Sequence, residues 1–499
     1  MSTPQHTEPT SEPTSEPAAE HTPEHIDVLV IGAGLSGIGA ACRLREEHPG
    51  RSLALLEMRE VSGGTWDLFR YPGIRSDSDM FTFGYRWRPW PSDTALADGQ
   101  LILDYLRTVA AEHGVDRLIR YRHKVVGASW DSGTARWTVR VETPEGARTF
   151  TTGLLWSCAG YYDYEAGHSP VFPGQEEYAG RLVHPQQWPE DLDTTGKKVV
   201  VIGSGATAVT LVPALAGTAE HVTMLQRSPT YILSRPGRDP WAKALAKLPA
   251  RISYPIVRWK NILLAIGTYK LAKTRPQVVK GVVRAGVKRQ LPEHVDVDTH
   301  FKPSYDPWDQ RLCFVPDGDL FKVLRSGDAS IVTAAIDTFT ETGIRLTDGS
   351  ELEADVVVSA TGLRLQPFGG IPLEVDGRPV ELSETMSYKA LMLSGIPNFV
   401  YTIGYTNASW TLKADLVADY VCRMLRHLDE TGKRSFVADR DPAVGERPFL
   451  DFSSGYVQRA LDGLPRQGDR APWKLDQNYL TDVRTIRRDA IDDGVLTFR

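Results

Sequence analysis

The chain is 499 residues long, with 41% hydrophobic and 24% charged residues and a formal net charge of −6. That length suggests two to four domains, and the mild acidity argues against a nucleic-acid partner. The cysteines Cys42, Cys158, Cys313 and Cys422 are far apart and form no CxxC pair, so neither a disulfide scaffold nor a metal site is expected, and a reducing cytoplasmic compartment is.

Residues 1–24 are rich in Thr, Ser, Glu and Pro and repeat Thr10-Ser11-Glu12-Pro13 as Thr14-Ser15-Glu16-Pro17. They hold too little apolar surface to offset ordering entropy, so a disordered tail is predicted, and one without a secretory signal. No run of about 18 purely apolar residues occurs, so no transmembrane span is expected.

At Ile26 the character changes. An apolar strand runs to Ile31 and meets Gly32-Ala33-Gly34-Leu35-Ser36-Gly37, which opens a helix; the strand Leu53–Leu56 then delivers Glu57. Helix N-terminal amides hold pyrophosphate, and an acid at the end of the second strand accepts from a ribose diol. Gly63-Gly64-Thr65 follows, with Trp66 where disulfide reductases of such architecture carry their first cysteine, so dithiol chemistry is not expected. Val125 lies on the apolar stretch Lys124-Val125-Val126. Alternating residues from Trp137 to Val141, a turn at Pro144-Glu145-Gly146 and a strand ending at Cys158-Ala159-Gly160 read as a β-meander and a closing strand.

The plan then repeats. Val199–Ile202 meets Gly203-Ser204-Gly205-Ala206-Thr207-Ala208, with Ala208 in place of the third glycine, and Val222–Leu225 delivers Gln226 and Arg227. An arginine at that position suits a 2′-phosphate, and Ser228 adds a hydroxyl, so the second dinucleotide reads as NADPH. From Trp241 to Pro292 there is no Asp or Glu but twelve Lys or Arg, with apolar residues at helical spacing. This is read as a helical insertion: a packed cap, or alternatively a surface that meets anionic lipid. A second meander follows, and Asp355–Gly362 closes the copy.

The fold class expected is therefore α/β, with two dinucleotide-binding, Rossmann-like domains and a helical insertion. That repeated plan is the organisation of flavoproteins carrying two dinucleotide domains, so the expected division is a tail at 1–24, an FAD-binding domain at 25–165 and 363–499, an NADP-binding domain at 166–236 and 325–362, and the insertion at 237–324.

Gly63 to Asp77 matches a pattern of Baeyer–Villiger monooxygenases: small residue, Gly, any, Trp, four of any, aromatic, Pro-Gly, three of any, Asp. Tyr178 to Pro189 matches a second pattern of that family, FxGxxxHxxxWP, with Tyr for Phe. The chain resembles this family, and its segments Tyr305–Cys313, Gly404–Lys413 and Trp473–Tyr479 resemble the mycobacterial branch that activates the prodrug ethionamide.

The resemblance implies FAD and NADPH as cofactors, and O₂ with a ketone or sulfide as substrates. The implied reaction is insertion of one oxygen atom, by way of a C4a-peroxyflavin, to give an ester or lactone, with S-oxidation of thioethers or thioamides beside it. It implies Arg311 and Asp77 as catalytic residues, with Thr65, Trp66, Val125 and Asp77 beside the flavin and Arg75 and Ser76 where NADP meets it. Without the resemblance, Arg311 reads as a structural arginine paired with Asp309 or Asp319. Many relatives have lysine just before the arginine; here Gln310 stands there, which leaves Arg227 more of the phosphate recognition. Competing readings are a flavin monooxygenase restricted to amine or sulfur centres, and a non-oxygenating redox or binding protein. No feature specifies an oligomeric state.

Overall fold

The computed structural model describes residues 22–499, and residues 1–21 of the expected tail lie outside them. Runs of Val, Ile and Leu give strands buried on both faces, as parallel sheets require. Glu24–Ile31 lies between Leu53–Leu56 and Gly146–Ser157, parallel to both, within a nine-stranded sheet. Gly146–Ser157 serves twice, pairing antiparallel with Arg136–Thr143 near its start and parallel with Glu24–Ile31 and Phe399–Tyr401 toward its end. Leu373–Val375 extends the sheet beside Lys124–Asp131. The chain leaves this sheet after Ser157 and returns to it late, and the helix Trp410–Thr431 then packs on Leu35–Glu47.

Between departure and return lies a second sheet of five parallel strands. Its order is Ala329–Thr333, His221–Gln226, Lys198–Ile202, Val356–Ser359 and Arg181–Val183. The second meander, Ile336–Thr340, Gly343–Leu346 and Glu351–Glu353, forms a sheet of its own rather than continuing into the parallel one. Asp355 accounts for the break. Its N–H donates to the Lys198 carbonyl (2.9 Å), and its carboxylate accepts from the Lys198 N–H (2.8 Å), which starts a new strand.

One local relation occurs in both units. Gly32 has φ +97°, and a Cβ there would come within 2.8 Å of the Cys158 carbonyl oxygen. Gly203 has φ +140°, and a Cβ there would come within 2.5 Å of the Ala360 carbonyl oxygen. In each unit the first glycine of the turn presses on the end of the closing strand, so a side chain is excluded by both space and conformation.

The parallel pair Ile232–Arg235 and Cys313–Pro316 brackets the basic segment. Between these two strands lie the helices Pro240–Ala244, Ala250–Thr274, Pro276–Lys288 and Val297–His300. Ala250–Thr274 sends Tyr254, Val257 and Ile262 into the core of the first unit, while Pro276–Lys288 sends Val283 and Val287 into that of the second. Each such aliphatic side chain stabilises the packing by about 1.5–3 kcal/mol. The buried Arg258 fixes the long helix by donating to the carbonyls of Phe81 (2.8 Å) and Gly84 (2.7 Å), with Asp415 at 3.3 Å. No helix among the described residues is long and apolar enough to cross a membrane.

Candidate active site

A cavity of about 490 Å³ starts at the first glycine turn and ends at Arg311. Gly32, Gly34, Ser36, Glu57, Thr65, Trp66, Arg75, Ser76, Asp77 and Val125 all line it. Its floor is backbone on backbone: a Cβ on Gly34 would lie 3.4 Å from the Gly64 Cα. Gly34 caps the helix Leu35–Glu47 without any side-chain acceptor, so no side chain satisfies the amides of its first turn, whose Leu35 and Ser36 line the cavity. The Glu57 carboxylate is buried and accepts from the N–H groups of Ala33 (2.9 Å) and Arg59 (3.0 Å). Burial outweighs these donors and moves its pKa above the ordinary value. Gly37 does not line the cavity, because a Cβ there would overlap the Gly32 carbonyl, so it serves helix–strand packing. The Ser36 hydroxyl accepts from the Trp410 indole at 2.8 Å.

At the far end, Arg311 donates from Nε and Nη2 to the two carboxylate oxygens of Asp77, each at 2.8 Å. The Arg311 side chain keeps 36% of its surface open toward the cavity and is otherwise enclosed. Asp77 raises its pKa further against the opposing effect of burial, so the guanidinium is a permanent cation. The alternative partners are engaged elsewhere: Asp309 by Lys273 (2.8 Å) and Asp319 by Arg75 (2.6 Å). Arg75 therefore ties the cavity wall to the second unit, and its other terminal nitrogen, Nη2, is buried without a partner. Cys158 also lines the cavity, but burial pushes its thiol up to about 12, leaving no thiolate at neutral pH.

The second glycine turn stands apart from this cavity. Ser204, Gly205, Ala206 and Thr207 lie at the partly open N-terminus of Ala206–Leu215, which Gly205 caps with no side-chain acceptor. A Cβ on Gly205 would meet nothing within 4 Å. The Ser204 hydroxyl reaches Thr230 Oγ1 (2.9 Å) and the Ser228 carbonyl (3.0 Å). Arg227 and Ser228 are exposed at the strand end, whereas Ala208 is buried and packs inward. His184 links the connector to the closing strand: Nε2 lies 3.2 Å from the Gly362 carbonyl, and Nδ1 accepts from the Gln186 N–H (3.2 Å).

A family described as flavin-binding monooxygenase-like matches residues 88–373, and an NAD(P)-binding Rossmann-like domain matches residues 30–92. The FAD-containing monooxygenase EthA of Mycobacterium tuberculosis is 54% identical over 95% of this chain and 97% of its own length. The chain belongs to the flavin-binding monooxygenase family. EthA of Mycolicibacterium smegmatis is 52% identical over 95% of this chain and 96% of its own length. In fold, the chain is similar to an oxidized steroid monooxygenase bound to NADP, with TM-score 0.70, 24% identity, and coverage of 84% of this chain and 88% of that one.

The monooxygenase also has functional-site features that motif reading did not reach. Tyr161 stacks on Trp410 (centroids 5.2 Å apart, planes 9° apart) and meets Tyr162 at 4.4 Å, giving an aromatic wall from Ser36 toward Arg311. Burial pushes the Tyr162 phenol up to about 12, so it remains a neutral donor. The position of these tyrosines, directly after the closing strand of the first copy, was the available signal. A second cavity of about 280 Å³ adjoins the first and shares Asp77 and Arg311 with it. Ile262, Ile266 and Tyr269 of the basic helix line it, as does Arg235, whose guanidinium lies 3.8 Å above the Phe314 ring. Trp473 is a buried core residue that meets Tyr388 edge-on.

Proposed function

We propose that the protein is an FAD- and NADPH-dependent Baeyer–Villiger monooxygenase, turning ketones into esters or lactones with one atom of O₂ and also S-oxidising thioethers or thioamides. The observation that carries this reading is the Asp77–Arg311 pair at the junction of the two cavities. A ketone that accepts an oxygen nucleophile develops charge on its carbonyl oxygen, and a fixed cation stabilises that charge. Asp77 holds the guanidinium plane in place through two parallel hydrogen bonds. Enzymes restricted to amine or sulfur centres oxidise nucleophilic substrates and have no such oxyanion to stabilise.

The first cavity fits FAD. Gly32, Gly34 and Ser36, with the uncapped helix behind them, would hold its pyrophosphate, and Glu57 a ribose diol; Gly37 supports the turn from behind. Thr65, Trp66, Val125 and Asp77 would surround its ring. FAD supplies the redox and oxygen-transfer chemistry when bound. The open cradle at Gly205 fits the pyrophosphate of NADPH: Ser204, Ala206 and Thr207 would line it, Ala208 would support it, and Arg227 with Ser228 would meet the 2′-phosphate. Arg75 and Ser76 would stand between the two cofactors, with the unpartnered Arg75 Nη2 available to the coenzyme. On this reading 25–165 with 363–499 form the FAD-binding domain, 166–236 with 325–362 the NADP-binding domain, and 237–324 the insertion. Segment 241–292, with twelve Lys or Arg and no acidic residue, would add a peripheral membrane contact.

The test uses the flavin-loaded enzyme, reduced by NADPH without oxygen and then mixed with ¹⁸O₂ and a methyl ketone. An ester carrying one labelled oxygen is expected. Hydrogen peroxide as the only product, together with sulfoxide from a thioether, would turn the assignment to the sulfur-restricted class.

A further inference from the structure

The helix Ala250–Thr274 has two apolar faces, and only one of them is covered. Ile262, Ala265, Ile266 and Tyr269, at i, i+3, i+4 and i+7, line the cavity that ends at Asp77 and Arg311. Ile252, Ile256, Trp259 and Leu263, at i, i+4, i+7 and i+11, form a neighbouring stripe that faces outward, with Ile256 41% and Leu263 54% exposed. Leu264, Leu271 and, on the next helix, Val282 (66%) widen this patch. Monomeric soluble proteins rarely leave so continuous an apolar strip uncovered.

The charge around the patch selects its occupant. Between 241 and 292 there is no acidic residue. Lys243, Lys247, Arg251, Lys270 and Arg275 are exposed and make no salt bridge among the described residues. An apolar stripe flanked by free cations matches an anionic bilayer surface, where the side chains enter the acyl boundary and the cations meet headgroups. The cavity on the inner face reaches the exterior beside this stripe, since Thr268, Lys270 and Lys273 both line it and are exposed.

We infer that the helix Ala250–Thr274 docks on an anionic lipid surface and passes membrane-dissolved, long-chain ketones or sulfides along its inner face to Arg311. The inference rests on the monooxygenase reading for the chemistry of the substrate, and on the two faces of one helix for its route. A lipophilic substrate held in the bilayer then enters an apolar cavity without crossing water.

The experiment uses the full-length flavin-loaded protein with vesicles of phosphatidylglycerol or of phosphatidylcholine. Wild type is expected to sediment with the first and not the second. I256E/L263E and, separately, K243E/K247E should lower that partitioning by about tenfold or more. On phosphatidylglycerol vesicles, I256E/L263E should lose about tenfold in kcat/KM for vesicle-borne 2-tridecanone and nothing for water-soluble 2-butanone, with an unchanged melting temperature. Three results would overturn the inference: no binding to phosphatidylglycerol, equal loss with both ketones, or a wild-type oligomer that I256E/L263E dissolves, which would make the patch a contact between copies. Failure to convert 2-butanone would count against the proposed reaction alone, because sedimentation needs no turnover.

Discussion

Arg311 and Asp77, 234 residues apart in sequence, meet through two parallel hydrogen bonds of 2.8 Å each. The pair joins the end of the insertion, which carries Arg311, to the loop after the first glycine unit, which carries Asp77. A flat guanidinium held at two of its three nitrogens has one orientation, and Lys would offer a single point charge in its place. Arg311→Ala is therefore expected to lower ketone oxygenation by about 10²–10³-fold, by analogy with loss of one oxyanion donor. Arg311→Lys should recover little of this. Asp77→Asn, which leaves the cation but loosens it, should fall between wild type and Arg311→Ala. Ester formation per NADPH consumed is the measurement, and near-normal yield in Arg311→Ala would remove the residue from the reaction.

The two glycines of the second turn should separate folding from coenzyme binding. Gly203 combines φ +140° with a carbonyl 2.5 Å from the would-be Cβ, so Gly203→Ala is expected to destabilise by about 1–3 kcal/mol. Gly205 has φ −79° and open space before it. Gly205→Ala should keep its stability within about 0.5 kcal/mol, because no native contact is disturbed. It should nevertheless raise the KM for NADPH, because the new methyl occupies the cradle. Thermal melts and steady-state kinetics on both variants test the pair; an unchanged KM in Gly205→Ala would show that the coenzyme does not lie over this turn.

Arg227 is exposed and makes no salt bridge among the described residues. A charge-assisted bond to a 2′-phosphate supplies about 1.5–3 kcal/mol, near the lower end at an exposed site. Arg227→Ala should thus weaken NADPH by about tenfold and leave NADH nearly unchanged, and added salt should shrink the difference. Equal weakening of both coenzymes would move the phosphate site elsewhere.

What the sequence made legible follows from how local each signal is. The glycine turns, Glu57, Arg227 and the meanders announce themselves within short windows, since strand burial and turn conformation leave local patterns. Long-range pairings left no such trace. By proximity Arg311 belongs with Asp309 or Asp319; in space Lys273 and Arg75 engage those acids, and Asp77 takes the arginine. The Ser36 hydroxyl, read as a cofactor contact, bonds Trp410 across 374 residues, and nothing near either residue signals that bond. The basic helix was legible as a helix, but which of its faces lines a cavity depends on where Arg258 anchors it.

His184 should give the protein a measurable acid sensitivity. Its two hydrogen bonds require a neutral ring, with Nε2 donating to the Gly362 carbonyl and Nδ1 accepting from the Gln186 N–H. Burial lowers its pKa below the ordinary 6.5, the Gly362 bond opposes that shift only in part, and the nearby His168 adds to it. The unfolded chain therefore binds this proton more readily than the folded one. Stability from the neutral ring is fully present above about pH 6.5 and falls as the pH drops through that value toward the folded pKa. His184→Asn keeps an acceptor for the Gln186 N–H but no titrating ring. Between pH 7 and 5 the melting temperature of wild type should fall more steeply than that of the variant, by about one to two degrees. His168 and His300, also shifted down by burial, should retain the rest of the slope. Superimposable melting profiles for the two proteins would mean that the connector is not held by a neutral His184.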